Sequence, residues 1–201
     1  MFLISLLIIH LIKIYNYKYI CYIYNCGKTN GYENKYNPDK WNDNEYIRKS
    51  HNCYAYALNN INKKLTKQCQ QKCTGVNPQP GHYCNNKYNK IFCYDIEKAM
   101  ICDNSEIKIS SFNQKCSNNF YKIGLSVQNN INFHFYKQNL NGIWSHKDAG
   151  FHVNNLDSNK KIIINPKESN RNFGKYRNYK KWCNFYCVPT INTNMSRNQL
   201  Y

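Results

Sequence analysis

Acidic side chains are scarce in this chain: 11 Asp and Glu stand against 28 Lys and Arg, a formal charge of +17 over 201 residues. That balance excludes a polyanionic surface and favours anionic partners: nucleic acid, acidic membrane or acidic polymer. Asn, Lys, Tyr and Ile dominate the composition, and all are encoded by AT-rich codons. A lysine-rich solvated surface therefore has a second, non-functional origin. No internal repeat is present, which excludes a solenoid. No recognisable nucleic-acid-binding motif is present either. The segment 171–182 nonetheless interleaves Arg171, Lys175, Arg177, Lys180 and Lys181 with Phe173, Tyr176, Tyr179 and Trp182, a pattern suited to single-stranded nucleic acid.

The longest apolar run, Phe2 to Ile12, is shorter than the roughly 20 residues that span a bilayer. It lacks a basic start and a clear small-residue cleavage site, yet apolar and tyrosine residues resume from Ile14 to Tyr24. Lys13 and Lys18 can snorkel toward head groups. Residues 1–24 are read as a signal-anchor or signal peptide, with a buried core segment as the competing assignment. Either targeting assignment implies a membrane-anchored or secreted protein. Residues 25–48 read as a linker, 49–190 as one domain and 191–201 as a polar tail.

Eleven cysteines are present. If Cys53 is a free nucleophile, Cys69, Cys73, Cys84, Cys93, Cys102, Cys116, Cys183 and Cys187 remain in the main domain, an even set that fits disulfides in an oxidising compartment. Zinc held by Cys69, Cys73, Cys84 and Cys93 competes with this, although the spacing matches no standard finger and no paired histidines follow. Unpaired structural thiols are the third assignment. Connectivity stays open.

Asn52 is a natural N-cap, placing Cys53 in the first turn of a helix. Ala57, Leu58, Ile61 and Leu65 continue at helical spacing, so the helix is expected to run to about Lys67. Residues 68–90 read as a stapled loop within a Cys-rich insert, 68–116. A second helix is expected from Asp95 to Cys102. Short strands are expected at 107–111 and 119–127, the latter with Tyr121, Ile123 and Leu125 on one face. The strongest strand pattern is a hairpin: 131–138, a turn containing Asn141-Gly142, then 143–147. Further apolar runs lie at 160–165 and 182–188. Helices followed by antiparallel strands describe an α+β domain.

The chemistry centres on Cys53. A helix N-terminus offers unsatisfied N–H groups and positive dipole charge, which lower a thiol pKa from its usual value near 8.5. His134 lies mid-strand between Phe133 and Phe135. His146 follows twelve residues later on the return strand. The nearer imidazole can take the thiol proton while the farther one orients it. Each residue also has a structural alternative: Cys53 as half of a disulfide, His134 as a satisfied strand histidine, His146 as an exposed hairpin residue. His51, His152 and Asp157 are rival partners. Asn52 or the Cys53 N–H is a candidate oxyanion donor.

The sequence Asn52-Cys53-Tyr54-Ala55-Tyr56-Ala57-Leu58, with His134-Phe135-Tyr136 and Trp144-Ser145-His146-Lys147, resembles the NlpC/P60 branch of the papain-like thiol hydrolases. It also looks like uncharacterised secreted or viral proteins of this kind. The resemblance covers about residues 50–165. It implies a Cys-bearing helix packed on an antiparallel sheet, with Cys53 as nucleophile, His134 as general base and acid, and His146 as orienting residue. Asn52, Tyr54 and Trp144 are the expected substrate contacts. It calls for no metal and no cofactor, and its substrate is an amide bond in peptide or peptidoglycan-like material. Asn52 stands where an Asp often precedes the Cys, and the Cys-rich insert has no counterpart. Two other functions compete: an inactive, disulfide-rich, membrane- or particle-associated binding protein, and a basic nucleic-acid binder.

Overall fold

The computed structural model describes residues 20–73, 78–85 and 88–191. The expected signal segment lies mostly outside these residues, and the polar tail almost entirely so. No helix among the described residues is long and apolar enough to cross a membrane.

The architecture is α+β. Short helices α1 (Asp39–Asn42), α2 (Glu45–Ser50), α3 (Cys53–Ala57) and α4 (Lys63–Gln71) precede the longer α5 (Cys93–Asp103). Strands β1 (Lys108–Ser110), β2 (Phe120–Gln128), β3 (Asn132–Gln138), β4 (Trp144–Lys147), β5 (Val153–Asn154) and β6 (Lys181–Pro189) form one six-stranded sheet in the order β1-β6-β2-β3-β4-β5. Every pairing is antiparallel. The β3–β4 hairpin places Tyr136 opposite His146 and Gln138 opposite Trp144. Gly142 closes its turn at φ +85°.

Alternation along the strands divides the core in two. Tyr121, Ile123, Leu125 and Val127 of β2 and Phe133 and Phe135 of β3 pack against Cys53, Tyr54, Ile96 and Met100 from α3 and α5. The opposite face carries Tyr136, Trp144, Ile163 and Phe185, with Phe112 and Trp182 against them. Gly124 sits beneath Trp182, where a Cβ would lie 2.5 Å from the indole. The run 160–165 is not a strand of the sheet; it makes one isolated bridge, Leu156 to Ile162.

The helix expected from Cys53 to Lys67 is two helices. Leu58 leaves helical geometry, and Asn59 adopts φ +51°. Asn62 then caps α4 by accepting from Leu65 N at 3.1 Å. The apolar stripe crosses the break because each piece buries its own residues, Leu58 on α3's side and Leu65 on α4's. Residues 25–48 are also not an open linker. They form α1 and α2 and bury Cys26 and Trp41, with Trp41 edge-on to Tyr56 of α3.

All cysteines but one are paired: Cys21–Cys26, Cys69–Cys73, Cys84–Cys102, Cys93–Cys183 and Cys116–Cys187. The four candidate zinc ligands are thus disulfide-bonded. Cys53 is the free, buried thiol.

Candidate functional site

Cys53 opens α3 because Asn52 caps it. The Asn52 side-chain oxygen accepts from Tyr54 N at 3.0 Å and Ala55 N at 3.1 Å. Its amide donates one N–H to Pro78 O at 2.9 Å, so Asn52 holds the helix start against the segment that begins at Pro78. The segment just before α3 is fixed by Lys147. Its buried ammonium donates to the carbonyls of Arg48 and His51, each at 2.6 Å, and to that of Ala149. The C-terminal end of α2 and the start of α3 are thereby tied to β4.

Cys53 and His134 line one small cavity of about 110 Å³, with Asn52, Gln79, Asp148 and Tyr179. They approach β3 differently. Cys53 packs on the helix-facing side with Phe133 and Phe135. His134 lies on the side of Tyr136, its ring stacked on Tyr179 at 4.7 Å. The thiol donates to Phe133 O at 3.9 Å rather than to an imidazole.

The two histidines meet. His134 Nε2 and His146 Nδ1 are 2.8 Å apart, and His146 Nε2 is 3.0 Å from Leu156 O. A carbonyl only accepts, so His146 carries its proton on Nε2. Neutral His146 then presents a bare Nδ1, and His134 must donate to it from Nε2. This leaves Nδ1 of His134 as the one nitrogen of the relay that neither carries a proton nor accepts one from the described residues. Burial holds both imidazoles below the usual histidine range, and their mutual proximity lowers His134 further. Burial also pushes the Cys53 thiol up to about 12. The expected lowering by the helix terminus is overturned, because five residues of helix cannot offset full desolvation. At rest the site holds a neutral thiol and neutral imidazoles.

The rivals are engaged elsewhere. His51 accepts from Asn62 N at its Nε2, 2.9 Å, and its Nδ1 faces Ile47 O at 3.0 Å. It joins α2 to the cap of α4. His152 is exposed and lies outside the cavity. Asp157 organises its own loop by accepting from Asn159 N, Lys161 N and Asn170 N. Tyr54 and Trp144, the other expected substrate contacts, do not reach the cavity. Both are fully buried, Tyr54 donating to Asp103 at 2.8 Å and Trp144 to Cys26 O at 3.1 Å. An aromatic beside a site residue gives the same sequence signal whether it faces ligand or core.

Asp148 and Tyr179 were not anticipated. Asp148 lies two residues beyond His146 and pairs with Arg177 at 2.6 Å. Tyr179 comes from the basic and aromatic segment 171–182, whose pattern points to nucleic acid rather than to this cavity. Arg177 is thus committed to Asp148. Arg171 donates to the carbonyls of Pro166, Lys167, Ser169 and Tyr179. Two of the basic groups in the proposed nucleic-acid patch therefore fasten the loop rather than face a phosphate backbone.

Burial of these histidines sets a pH dependence. Their folded pKa values lie below the unfolded value near 6.5, so the unfolded chain binds more protons in acid. Stability is full above pH 6.5 and falls as the pH drops through the window beneath it. For His51, lowered to about 4, the loss from pH 7 to pH 5 is about 2 kcal/mol. Urea midpoints should be lower at pH 5 than at pH 7.5. A flat profile across that range would show that these imidazoles are accessible to protons in the folded state.

No protein-family model and no solved structure matches the chain. In sequence the chain is similar to insoluble matrix shell protein 1 of Ruditapes philippinarum, 27% identical over 149 residues that cover 74% of this chain and 87% of that protein.

Proposed function

We propose that this chain is an extracellular, disulfide-stapled binding protein of an insoluble matrix, whose Cys53 pocket does not act as a hydrolase. The observation that carries this reading is the state of the cysteines: ten are joined in five disulfides, three of which tie α5, the insert and the last strand together, while the eleventh is a buried neutral thiol. Likeness to a shell matrix protein supports the same reading. So does the charge of +17, which suits acidic matrix polymer. The oxidised protein should be retained on an insoluble acidic polysaccharide matrix at low salt and released at high salt, and Cys53→Ala should behave identically. Iodoacetamide should label Cys53 slowly until the protein unfolds. Rapid alkylation in the folded state, with a hydrolytic activity that Cys53→Ala abolishes, would sink this reading.

A second reading has one specific observation in its favour. The single unpaired thiol shares a cavity with the end of a directed imidazole relay, from His134 to His146 to Leu156 O. On a papain-like scaffold of the NlpC/P60 type, Cys53 would attack a peptide or peptidoglycan-like amide, His134 Nδ1 would take its proton, and His146 would hold the tautomer. Substrate entry would have to bring thiol and imidazole into direct contact.

A further inference from the structure

Away from Cys53, a second cavity of about 270 Å³ opens between the lead-in to α1, the end of α3 and the helix-facing side of β3. Lys35, Lys40 and Lys137 line it, with Asn34, Asn37 and Asn59. Among the described residues no carboxylate lines it. Lys137 comes from β3 and is 2% exposed. Its ammonium sits 4.0 Å over the Tyr56 ring, and among the described residues it makes no ion pair. A buried ammonium without an anion is costly, and here burial pushes it down to about 7. The contrast with Lys147 is direct: that ammonium, equally buried, is wrapped by three carbonyls. Asn34 also lines the cavity, and its side-chain oxygen is buried and receives no hydrogen bond from the described residues. The cavity thus offers an unpaired cation, two further lysines at its rim, an unmet acceptor and amide groups.

We propose that this cavity binds an acidic sugar residue, its carboxylate held by Lys137 and Lys40 and a ring hydroxyl donated to Asn34. An anion without hydroxyl donors, such as sulfate, would leave the Asn34 oxygen unmet, and a neutral sugar would leave Lys137 unpaired. An anion carrying hydroxyl donors answers both, and the volume suits one monosaccharide unit. The inference rests on the matrix-binding reading and names the site through which an acidic polysaccharide would be held.

The test is a calorimetric titration of the full oxidised chain with trigalacturonate, beside maltotriose and inorganic sulfate. Trigalacturonate should bind, maltotriose should not, and sulfate should bind at least tenfold more weakly. Lys137→Met keeps the volume and removes the charge. It should weaken trigalacturonate binding at least tenfold while leaving thermal unfolding unchanged or raised, since a buried unpaired charge is lost. Lys108→Gln, on the exposed β1 strand, should change affinity less than twofold. Equal affinity in Lys137→Met, equal binding of maltotriose, or sulfate binding as tightly as the sugar overturns the proposal. Should the wild-type chain be retained on insoluble acidic matrix yet ignore trigalacturonate, this site is wrong and the matrix reading stands. Should it not be retained at all, the matrix reading fails first.

Discussion

Replacing Cys93 and Cys183 together by alanine is expected to lower the unfolding free energy by about 3–4 kcal/mol, an effect matched among the disulfides of this chain by Cys116–Cys187. The bond spans 90 residues of sequence, from the first residue of α5 to the third of β6. With Cys116–Cys187 intact, the shortest ring it closes runs through residues 93–116 and 183–187, and closing a ring of that size in the unfolded chain removes entropy worth about 3.6 kcal/mol, against about 2 kcal/mol for a four-residue loop. Cys69–Cys73 is such a short closure, with a sequence separation of 4. Cys116–Cys187 closes the same ring when Cys93–Cys183 is kept and should cost about as much, while Cys84–Cys102, separated by 18, should fall between the extremes. Urea unfolding of the four paired alanine variants checks the ranking. A Cys93/Cys183 variant within about 1 kcal/mol of wild type would mean that residual pairing of β6 with β1 and β2 already restrains the unfolded ensemble.

Asp103→Ala is expected to cost about 3–5 kcal/mol, the range for breaking a buried charged cluster from one side. Asp103 ends α5 and is 4% exposed. It accepts from Gly81 N and Tyr83 N at 2.7 Å, Cys84 N at 3.2 Å and the Tyr54 hydroxyl at 2.8 Å. Three backbone donors of the insert and one side-chain donor of α3 would lose their acceptor together. Asp103→Asn, which turns one oxygen into an amide facing N–H donors, should lose most of the same stability. Hydrogen exchange should speed up at Gly81, Tyr83 and Cys84 before the rest of the domain. Because Tyr54 adjoins Cys53, iodoacetamide should also reach the thiol faster in the variant. Protection at Gly81–Cys84 equal to wild type would show that Cys84–Cys102 holds the insert without the carboxylate.

The parts of the fold that were legible in the sequence are those where one local pattern had one physical solution. Alternation in β2, with Tyr121, Ile123 and Leu125 inward, and the Asn141-Gly142 turn between β3 and β4 gave the central strands directly. The helix break at Leu58–Asn62 was hidden because Ile61 and Leu65 continue the apolar spacing of α3 while Asn59 turns the chain. Residues 25–48 looked like a linker because their composition is polar, and one indole, Trp41, anchors them. At the site, His134 and His146 could be paired from their spacing across the hairpin, and they are hydrogen-bonded. The thiol's environment could not be read so. Helix position argues for a lowered pKa, but desolvation depends on Phe133, Phe135 and the packing of α5, which no local pattern reports. Asp148 and Tyr179 reach the cavity through long-range packing and an ion pair with Arg177.

The burial of Cys53 also protects its ten relatives. Disulfides are attacked by thiolates, and a thiol held at about 12 supplies roughly three orders of magnitude fewer of them at neutral pH than an exposed cysteine near 8.5. An odd cysteine is a standing source of reshuffling in a long-lived oxidised protein. Here the apolar wall around it works as insulation, so five crosslinks and one free sulfur can coexist in the same small domain without trading partners.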